Sequence, residues 1–541
     1  MELYSSYPPL DIPRVDLWSF LFQRSPRPFP DAKVVLTEAS TGRSYSFEEA
    51  KYQSLKFGDT LQKKWGLEKG QVLSVVAANS IDLPIVIWGA IAIGAIVSPL
   101  NPLFSAEELA HYFKDSGSRG VVTQRSQYPT VLQAARDSGL DPSRILVIDE
   151  VSDIWPLDPP PSFESESSDS FSPPISDPGS EVVFLVYSSG TTGLPKGVML
   201  SHTNIVANIL QSEYLDDGTV THNDTALAFL PFFHIIGLTY LINYNLHMGM
   251  NTVVMPRFHL EDTCRAIQQY KVTYCCVVPP VILQLVQNPI VAKYDLRSIR
   301  MMMSAAAPLS IDLIRVLREK LGIQVRQGYG TSECSPCTHM QTWEEGVKYP
   351  GAVGKLVANM VAKYVPISGE TKRGKSGKEG ELWVKGPNVF LGYHNNEKAT
   401  RESFSEDGFY MTGDVGYEDE HGQFVITDRI KELIKYNGFQ VPPAELEGIL
   451  LGHADVADVA VVGMAGDQVG SELPRAYVKL KPSVQDSMAT AQGIREYLDG
   501  RVVSYKQLRG GVRFIDEIPR NPSGKILRRE LKRRQEMKSN L

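Results

Sequence analysis

Residues 188–197 read Ser188-Ser189-Gly190-Thr191-Thr192-Gly193-Leu194-Pro195-Lys196-Gly197, the densest chemical signal in the chain. Glycines let backbone N–H groups come close to phosphoryl oxygens. The hydroxyls of Ser188, Ser189, Thr191 and Thr192 donate further hydrogen bonds, and Lys196 supplies a point charge. Such a string suits the cradling of a phosphate chain. It is not a Walker A loop, because Leu194-Pro195 separates Gly193 from Lys196. The competing reading is a flexible surface turn. The apolar run 182–187 just before it, which suits a fully buried strand, favours the cradle.

The thiols carry less. Cys264, Cys275, Cys276, Cys334 and Cys337 are too few, and odd in number, for a disulfide framework, and they suit a reducing compartment. Cys334 and Cys337 form one C-x-x-C, with no second pair or His-x-x-x-His nearby to complete a zinc site.

At about 100–200 residues per domain, a chain of 541 residues makes about two to four domains. With 43% hydrophobic and 22% charged residues it reads as ordinary and globular, which excludes collagen-like, disulfide-framework and wholly disordered classes. Its 55 Lys and Arg against 62 Asp and Glu give −7, which argues against a nucleic-acid partner. Residues 1–14 carry acids and prolines where a signal peptide needs a basic start and an apolar core. The longest apolar run, 83–97, is interrupted by Gly89 and Gly94 and falls short of the roughly 20 residues of a spanning helix. It is predicted to be a buried core helix, and no integral membrane association is expected. Ser539-Asn540-Leu541 is one substitution from the S-K-L address, leaving peroxisome and cytoplasm both open.

The scaffold follows from local pattern. No internal repeat is found. Residues 159–180, rich in serine and proline, predict a mobile surface loop. Strands are expected at 71–78 and 143–149, and a helix at 105–116 with Ser105 as N-cap and Glu108 three residues on. Strands separated by helical lengths argue for parallel α/β sheets. After about residue 380 short strands with Gly-rich turns take over, at 380–385, 422–427, 459–463 and 476–480. The boundary is placed at Asp428-Arg429-Ile430-Lys431, giving domains of 1–430 and 431–541.

Residues 187–202, YSSGTTGLPKGVMLSH, resemble the signature loop of the adenylate-forming enzymes, which include acyl-CoA synthetases, 4-coumarate:CoA ligases and firefly luciferases. The likeness continues in family order through Gln327-Gly328-Tyr329-Gly330-Thr331-Ser332-Glu333, Tyr410-Met411-Thr412-Gly413-Asp414, residues 428–443 and Pro519-Arg520-Asn521-Pro522-Ser523-Gly524-Lys525. It is strongest toward the 4-coumarate:CoA ligase branch, notably in DRIKELIKYNGFQVPPAELE. The resemblance implies a large N-terminal domain of stacked α/β sheets with a small β-barrel subdomain, plus a small mobile α+β C-terminal domain. It also implies a two-step reaction using ATP, Mg²⁺ and coenzyme A. A carboxylate attacks the α-phosphorus of ATP, and the thiol of coenzyme A then displaces AMP. Both steps need charge neutralisation and in-line positioning more than a protein nucleophile, in keeping with the absence of a G-x-S-x-G elbow.

By resemblance, Ser188, Ser189, Gly190, Thr191, Thr192 and Lys196 hold the β- and γ-phosphates. Glu333, with the Ser332 hydroxyl beside it, holds Mg²⁺ as a hard oxygen site. Gln327 and Gly328 belong to the nucleotide site; Asp414 accepts from the ribose hydroxyls, and Arg429 donates to ribose or phosphate. Lys525 reaches between the acyl carboxylate and the α-phosphate. Rotation about Lys431 then withdraws Lys525 and presents Lys435, Gly438 and Gln440 for thioester formation. Toward coenzyme A, Arg257 stands for a lysine, and Asn437 loses the charge of a second one. His234, Ile236, Tyr240, Ala305, Ala306 and Tyr329 would line the acyl pocket, with His234 either its gate or a hydrogen-bonded core histidine.

Ser332 keeps the hydroxyl of the family's threonine. Ile236 stands where the 4-coumarate ligases have tyrosine, and Ser304-Ala305-Ala306-Ala307-Pro308 replaces S-G-A-A-P. Both remove polarity or room and favour a medium-chain fatty acid or an apolar aryl acid over a hydroxycinnamate. The basic tail 520–538 reads as a solvated helix. The other readings are an acyl-AMP ligase loading a separate carrier protein, a luciferase-like monooxygenase and a non-catalytic nucleotide-binding protein. The last is disfavoured because Lys525, Glu333 and Asp414 are all present.

Overall fold

Capping chemistry starts the helices where the sequence places them. Ser105 Oγ accepts from the Glu108 N–H at 3.2 Å while the Glu108 carboxylate accepts from the Ser105 N–H at 2.8 Å. This box opens the helix Ala106–Ser116, which Gly117 closes in the left-handed region. Ser46 and Glu49 repeat the device for Phe47–Trp65. The computed structural model describes residues 2–149, 173–188, 195–367, 379–436, 439–465, 471–521 and 524–539.

The apolar run 83–97 is not one helix. The helix Asp82–Ala92 stops, Gly94 turns the chain at φ 77°, and the run continues as the strand Ile96–Leu100. A fully buried stretch has no polar face to reveal its period, so only the glycine marked the break. Gly89 serves a crossing. A Cβ there would lie 2.5 Å from the Ser54 carbonyl, so this helix and Phe47–Trp65 meet backbone to backbone. The expected strands are shorter, Val72–Val76 and Ile145–Val147.

Among the described residues, two large sheets share one apolar core. The first has seven strands, in the order Gly392–Tyr393, Lys196–Ser201, Val182–Ser188, Ile96–Leu100, Val72–Val76, Gly120–Thr123, Ile145–Val147. The second has nine, with a parallel centre running from Val325–Gly330 through Met301–Ser304, Tyr274–Val277 and Thr225–Ala228 to Asn251–Val254. Where the barrel was expected lies a five-stranded antiparallel sheet containing Val361–Val365, Gly380–Lys385, Tyr410–Glu418 and Phe424–Arg429. Its two edge strands do not pair with each other among the described residues.

From Ile434 onward a second core forms around Val441, Leu446, Leu450, Val459, Val461 and Leu498, separate from the first. It unites the ribbon Ile434–Tyr436 and Phe439–Val441, a sheet of Val456–Ala465, Glu472–Leu480 and Val512–Phe514, and the helices Pro443–Leu450 and Met488–Asp499.

The nine-stranded sheet holds a buried ion pair. Arg326 and Asp216 meet at 2.6 Å with both side chains 1% exposed. The Tyr274 hydroxyl accepts from Arg326 at 2.8 Å, and Asp216 accepts from Trp343 at 3.3 Å and from the Tyr244 hydroxyl. All five cysteines are buried and free.

Two expectations fall partly outside the described residues. Of the predicted mobile loop, 159–172 lies outside. Residues 173–180 end in a hydrogen-bonded turn instead, where the Ser180 hydroxyl donates to Asp177 at 2.6 Å and Glu181 accepts from the Ser176 N–H and hydroxyl at 2.9 Å. Carboxylates two to five residues away cap this backbone, so its serine content did not leave it without partners. Asn540 and Leu541 of the S-N-L end also lie outside. Among the described residues, no helix is long and apolar enough to cross a membrane.

Candidate active site

The two ends of the phosphate string lie on paired strands. Val182–Ser188 and Lys196–Ser201 pair antiparallel with Ser188 opposite Lys196, so the register alone brings these two side by side. Ser189, Gly190, Thr191 and Thr192 lie outside the described residues. Glu333 approaches from the turn after Val325–Gly330. Its Oε1 accepts from the Ser188 hydroxyl at 3.3 Å and from the Tyr393 hydroxyl at 3.0 Å. Lys196 Nζ stands 4.6 Å above the Tyr393 ring. Next to Glu333, Thr331 Oγ1 is buried without an oxygen or nitrogen partner among the described residues. Gly330 permits this turn, since a Cβ there would fall 1.8 Å from the Pro336 carbonyl oxygen.

A second group forms across Tyr410–Glu418 and Phe424–Arg429, where Asp414 pairs directly with Arg429. Arg429 Nε donates to Asp414 Oδ1 at 2.6 Å, and the Tyr329 hydroxyl donates to Oδ2 at 2.6 Å. Asp414 is buried. Its charge holds the guanidinium firmly protonated, and burial together with that carboxylate pushes the Tyr329 phenol well up.

Lys525 comes from the C-terminal unit. Asn521 frames the turn, with its Oδ1 accepting the Lys525 N–H and its N–H donating to the Lys525 carbonyl, each at 2.9 Å. Lys525 Nζ lies 3.9 Å from Glu432 Oε1. Burial, and then the Arg429 charge, lower its pKa from the ordinary lysine value.

Members of each group open onto one cavity of about 970 Å³, although Asp414 itself does not line it and reaches it only through Arg429 and Tyr329. Ser188, Lys196, Thr331, Ser332, Glu333, Arg429 and Lys525 line its polar part; Phe233, Ile236, Cys276, Met303, Ala305 and Cys337 line an apolar part. His234, Tyr240, Ala306, Gly328, Tyr329 and Lys431 also reach it. Burial pushes the Cys276 thiol up to about 12 and the Cys337 thiol up to about 11, so neither is a nucleophile at neutral pH. His234 has no side-chain hydrogen bond among the described residues, and burial lowers its imidazole to about 4, leaving it neutral. That geometry belongs to a wall residue and not to a hydrogen-bonded core histidine.

Several expected site residues stand elsewhere. Gln327 points away from the cavity, its amide donating to the Ala352 carbonyl at 3.1 Å. Arg257 is exposed and does not reach the cavity. Lys435 and Gln440 face each other across an exposed ribbon, also outside it. Gly438 and Asn437 lie outside the described residues.

The structure adds residues that no local pattern marked. Tyr393 arrives by the pairing of Gly392–Tyr393 with Lys196–Ser201. Glu381 lines the cavity and accepts the Gly413 N–H at 3.0 Å. Thr331 was in a quoted motif, but its orphaned hydroxyl shows only in three dimensions.

Fold and site together define an α/β protein in which one cavity joins a polar, lysine- and arginine-bearing part to an apolar part. The chain belongs to the AMP-binding enzyme family: the family model matches residues 22–394, and that of the AMP-binding enzyme C-terminal domain matches 445–525. A probable 4-coumarate–CoA ligase 1 of Dictyostelium discoideum is 36% identical over 549 residues, covering 98% of this chain and 97% of its own. The 4-coumarate–CoA ligase of Pinus taeda is 36% identical over 547 residues, with 98% and 97% covered. ATP-bound MatB from Rhodopseudomonas palustris matches the fold with a TM-score of 0.83 at 26% identity, over 96% of this chain and 99% of that one. The expected resemblance and the α/β class with a large N-terminal and a small C-terminal domain agree with these findings.

Proposed function

We propose that the chain is an AMP-forming acid–thiol ligase that activates an apolar carboxylic acid with ATP and passes it to coenzyme A. The observation that carries this is the meeting of Lys525 with Lys196, Glu333 and the apolar pocket around a single cavity. A carboxylate and a triphosphate repel each other, and a lysine between them offsets both charges. Arg429 and Asp414 orient the ribose, and the hairpin at Ser188 and Lys196 takes the terminal phosphates.

Mg²⁺ fits the donor set. Among the described residues no cluster of three His, Cys, Asp or Glu gathers, so Glu333 offers one carboxylate with the Ser332 and Thr331 hydroxyls beside it. One carboxylate completed by phosphate and water oxygens is an ordinary Mg²⁺ shell. The ion would neutralise phosphate charge there.

The second half-reaction needs a second arrangement. Lys435 and Gln440 sit on the exposed ribbon of the 431–541 unit, away from the acid. Rotation at Lys431 would exchange them for Lys525.

The apolar wall narrows the acid. The Tyr240 hydroxyl is engaged by Ser212 at 2.9 Å, the Thr239 hydroxyl donates to the Ser335 carbonyl at 2.8 Å, and the Cys337 thiol donates to the His339 carbonyl at 3.1 Å. Apart from the His234 imidazole, a hydroxyl on an aryl acid would find methyl groups and committed partners. Cinnamate should therefore exceed 4-hydroxycinnamate in kcat/KM by about ten- to a hundredfold, the usual cost of an unpaired hydroxyl in an apolar pocket. A medium-chain fatty acid should be accepted as well.

The experiment is a carboxylic-acid panel with ATP, reading pyrophosphate release with and without coenzyme A. Acid-dependent release with a coenzyme A thioester as product is expected. Release without thioester for any acid points to a carrier protein as acceptor, and no release with any acid refutes the ligase reading.

A further inference from the structure

Asp428 is not a cavity residue, although its neighbour Arg429 is. It is the penultimate residue of the strand Phe424–Arg429, three residues before Lys431, and is 5% exposed. One carboxylate oxygen accepts the Arg429 N–H at 2.7 Å; the other accepts the Ala444 N–H at 3.1 Å. Ala444 lies in the first turn of Pro443–Leu450, where backbone donors lack partners within the helix and the helix dipole favours an anion.

The contact with Ala444 therefore spans the proposed hinge. The ion pairs beside it do not. Arg528 joins Glu432 at 2.6 Å and Glu447 at 2.8 Å, and all three residues follow Lys431, so they travel together. The Lys525 turn also packs against the body: a Cβ at Gly524 would lie 3.3 Å from Val278 Cγ2. Burial raises the Asp428 carboxyl to about 7, with Arg528 opposing and Glu447 reinforcing that rise.

Turning the 431–541 unit about Lys431 moves Ala444 and leaves Asp428 behind. The bond can exist only while Lys525 occupies the cavity. A group that interacts in one of two states shifts their populations by that differential alone. We infer that Asp428 is a positioning residue that latches the lid in its adenylating arrangement by accepting the Ala444 N–H. The inference rests on the two-arrangement reading of the proposed function.

The test compares full-length Asp428→Ala with Asp428→Asn, which keeps an acceptor oxygen. Acid-dependent ATP–pyrophosphate exchange should fall about tenfold in Asp428→Ala, a fold-change typical of losing a hydrogen bond to a charged group. Thioester formation from supplied acyl-adenylate and coenzyme A should hold or rise, and Asp428→Asn should recover most of the exchange. Equal loss of both half-reactions, or equal behaviour of the two variants, overturns the latch. A readout free of catalysis is tryptic cleavage after Lys431 in the protein without substrates. Asp428→Ala should be cut faster than the parent at an unchanged melting temperature, and unchanged cleavage also overturns the latch. Absence of exchange in the parent chain would count against the ligase reading, while the cleavage rates still decide on the latch.

Discussion

Lys525→Ala is expected to abolish most adenylation, by about 10²–10³-fold, the usual effect of deleting one preorganised charge-stabilising group. Thioester formation from supplied acyl-adenylate should persist. Lys525 lines the same cavity as Lys196, Glu333 and the apolar Ile236 and Met303. It is presented by the Asn521 turn, so alanine removes the charge without removing the turn's backbone bonds. In the proposed second arrangement Lys525 would be withdrawn, and its loss would have nothing to disturb. Equal loss of both half-reactions would refute the assignment. The same lysine gives a pH prediction. Burial and Arg429 hold its pKa below the ordinary lysine value. The protonated form acts, so adenylation should fall on the alkaline side, as pH rises through that lowered pKa and before an exposed lysine would discharge. Lys525→Arg should move the fall to higher pH at reduced rate.

Arg326→Met is expected to destabilise the large domain by about 3–5 kcal/mol, because it leaves the carboxylate of Asp216 buried without its cation. Tyr244 and Trp343 still donate to Asp216, but neither carries charge. Asp216→Leu together with Arg326→Met should recover much of the loss, since a buried pair replaced by apolar side chains no longer carries an unpaired ion. Denaturant midpoints of the two single variants and the double variant measure this directly. A double variant no better than either single one would show that the two side chains do not act as a pair. Arg326 precedes the strand residues that deliver Gly328, Gly330 and Glu333, so the single variant should also lower the temperature at which activity is lost.

The grouping of the candidate residues was readable because their motifs are local. Ser188, Lys196, Glu333, Asp414, Arg429 and Lys525 each sit in a short motif, and the order of those motifs along the chain matched one family. The positions between motifs were not readable in this way. Tyr393 reaches Lys196 and Glu333 only because a two-residue strand pairs with a hairpin nearly 200 residues earlier in the chain. Gln327 lies off the cavity with its amide on the Ala352 carbonyl, a placement that a motif does not state. The apolar run 83–97 hid a helix-to-strand junction for a related reason: burial on all sides erases periodicity. The exposed ribbon bearing Lys435 and Gln440 shows the limit of motif reading: residue type suggests a role, yet both side chains lie outside the cavity.

The central claim is that the acid's own oxygen attacks the α-phosphorus of ATP. The direct measurement supplies a turned-over acid labelled with ¹⁸O in its carboxylate, together with ATP and coenzyme A, and weighs the nucleotide product. Attack at the α-phosphorus followed by displacement at the carbonyl carbon leaves one carboxylate oxygen on the phosphate of AMP. The account predicts AMP carrying a single ¹⁸O per turnover, with unlabelled pyrophosphate. Unlabelled AMP, or label in inorganic phosphate with ADP as the nucleotide product, would contradict it.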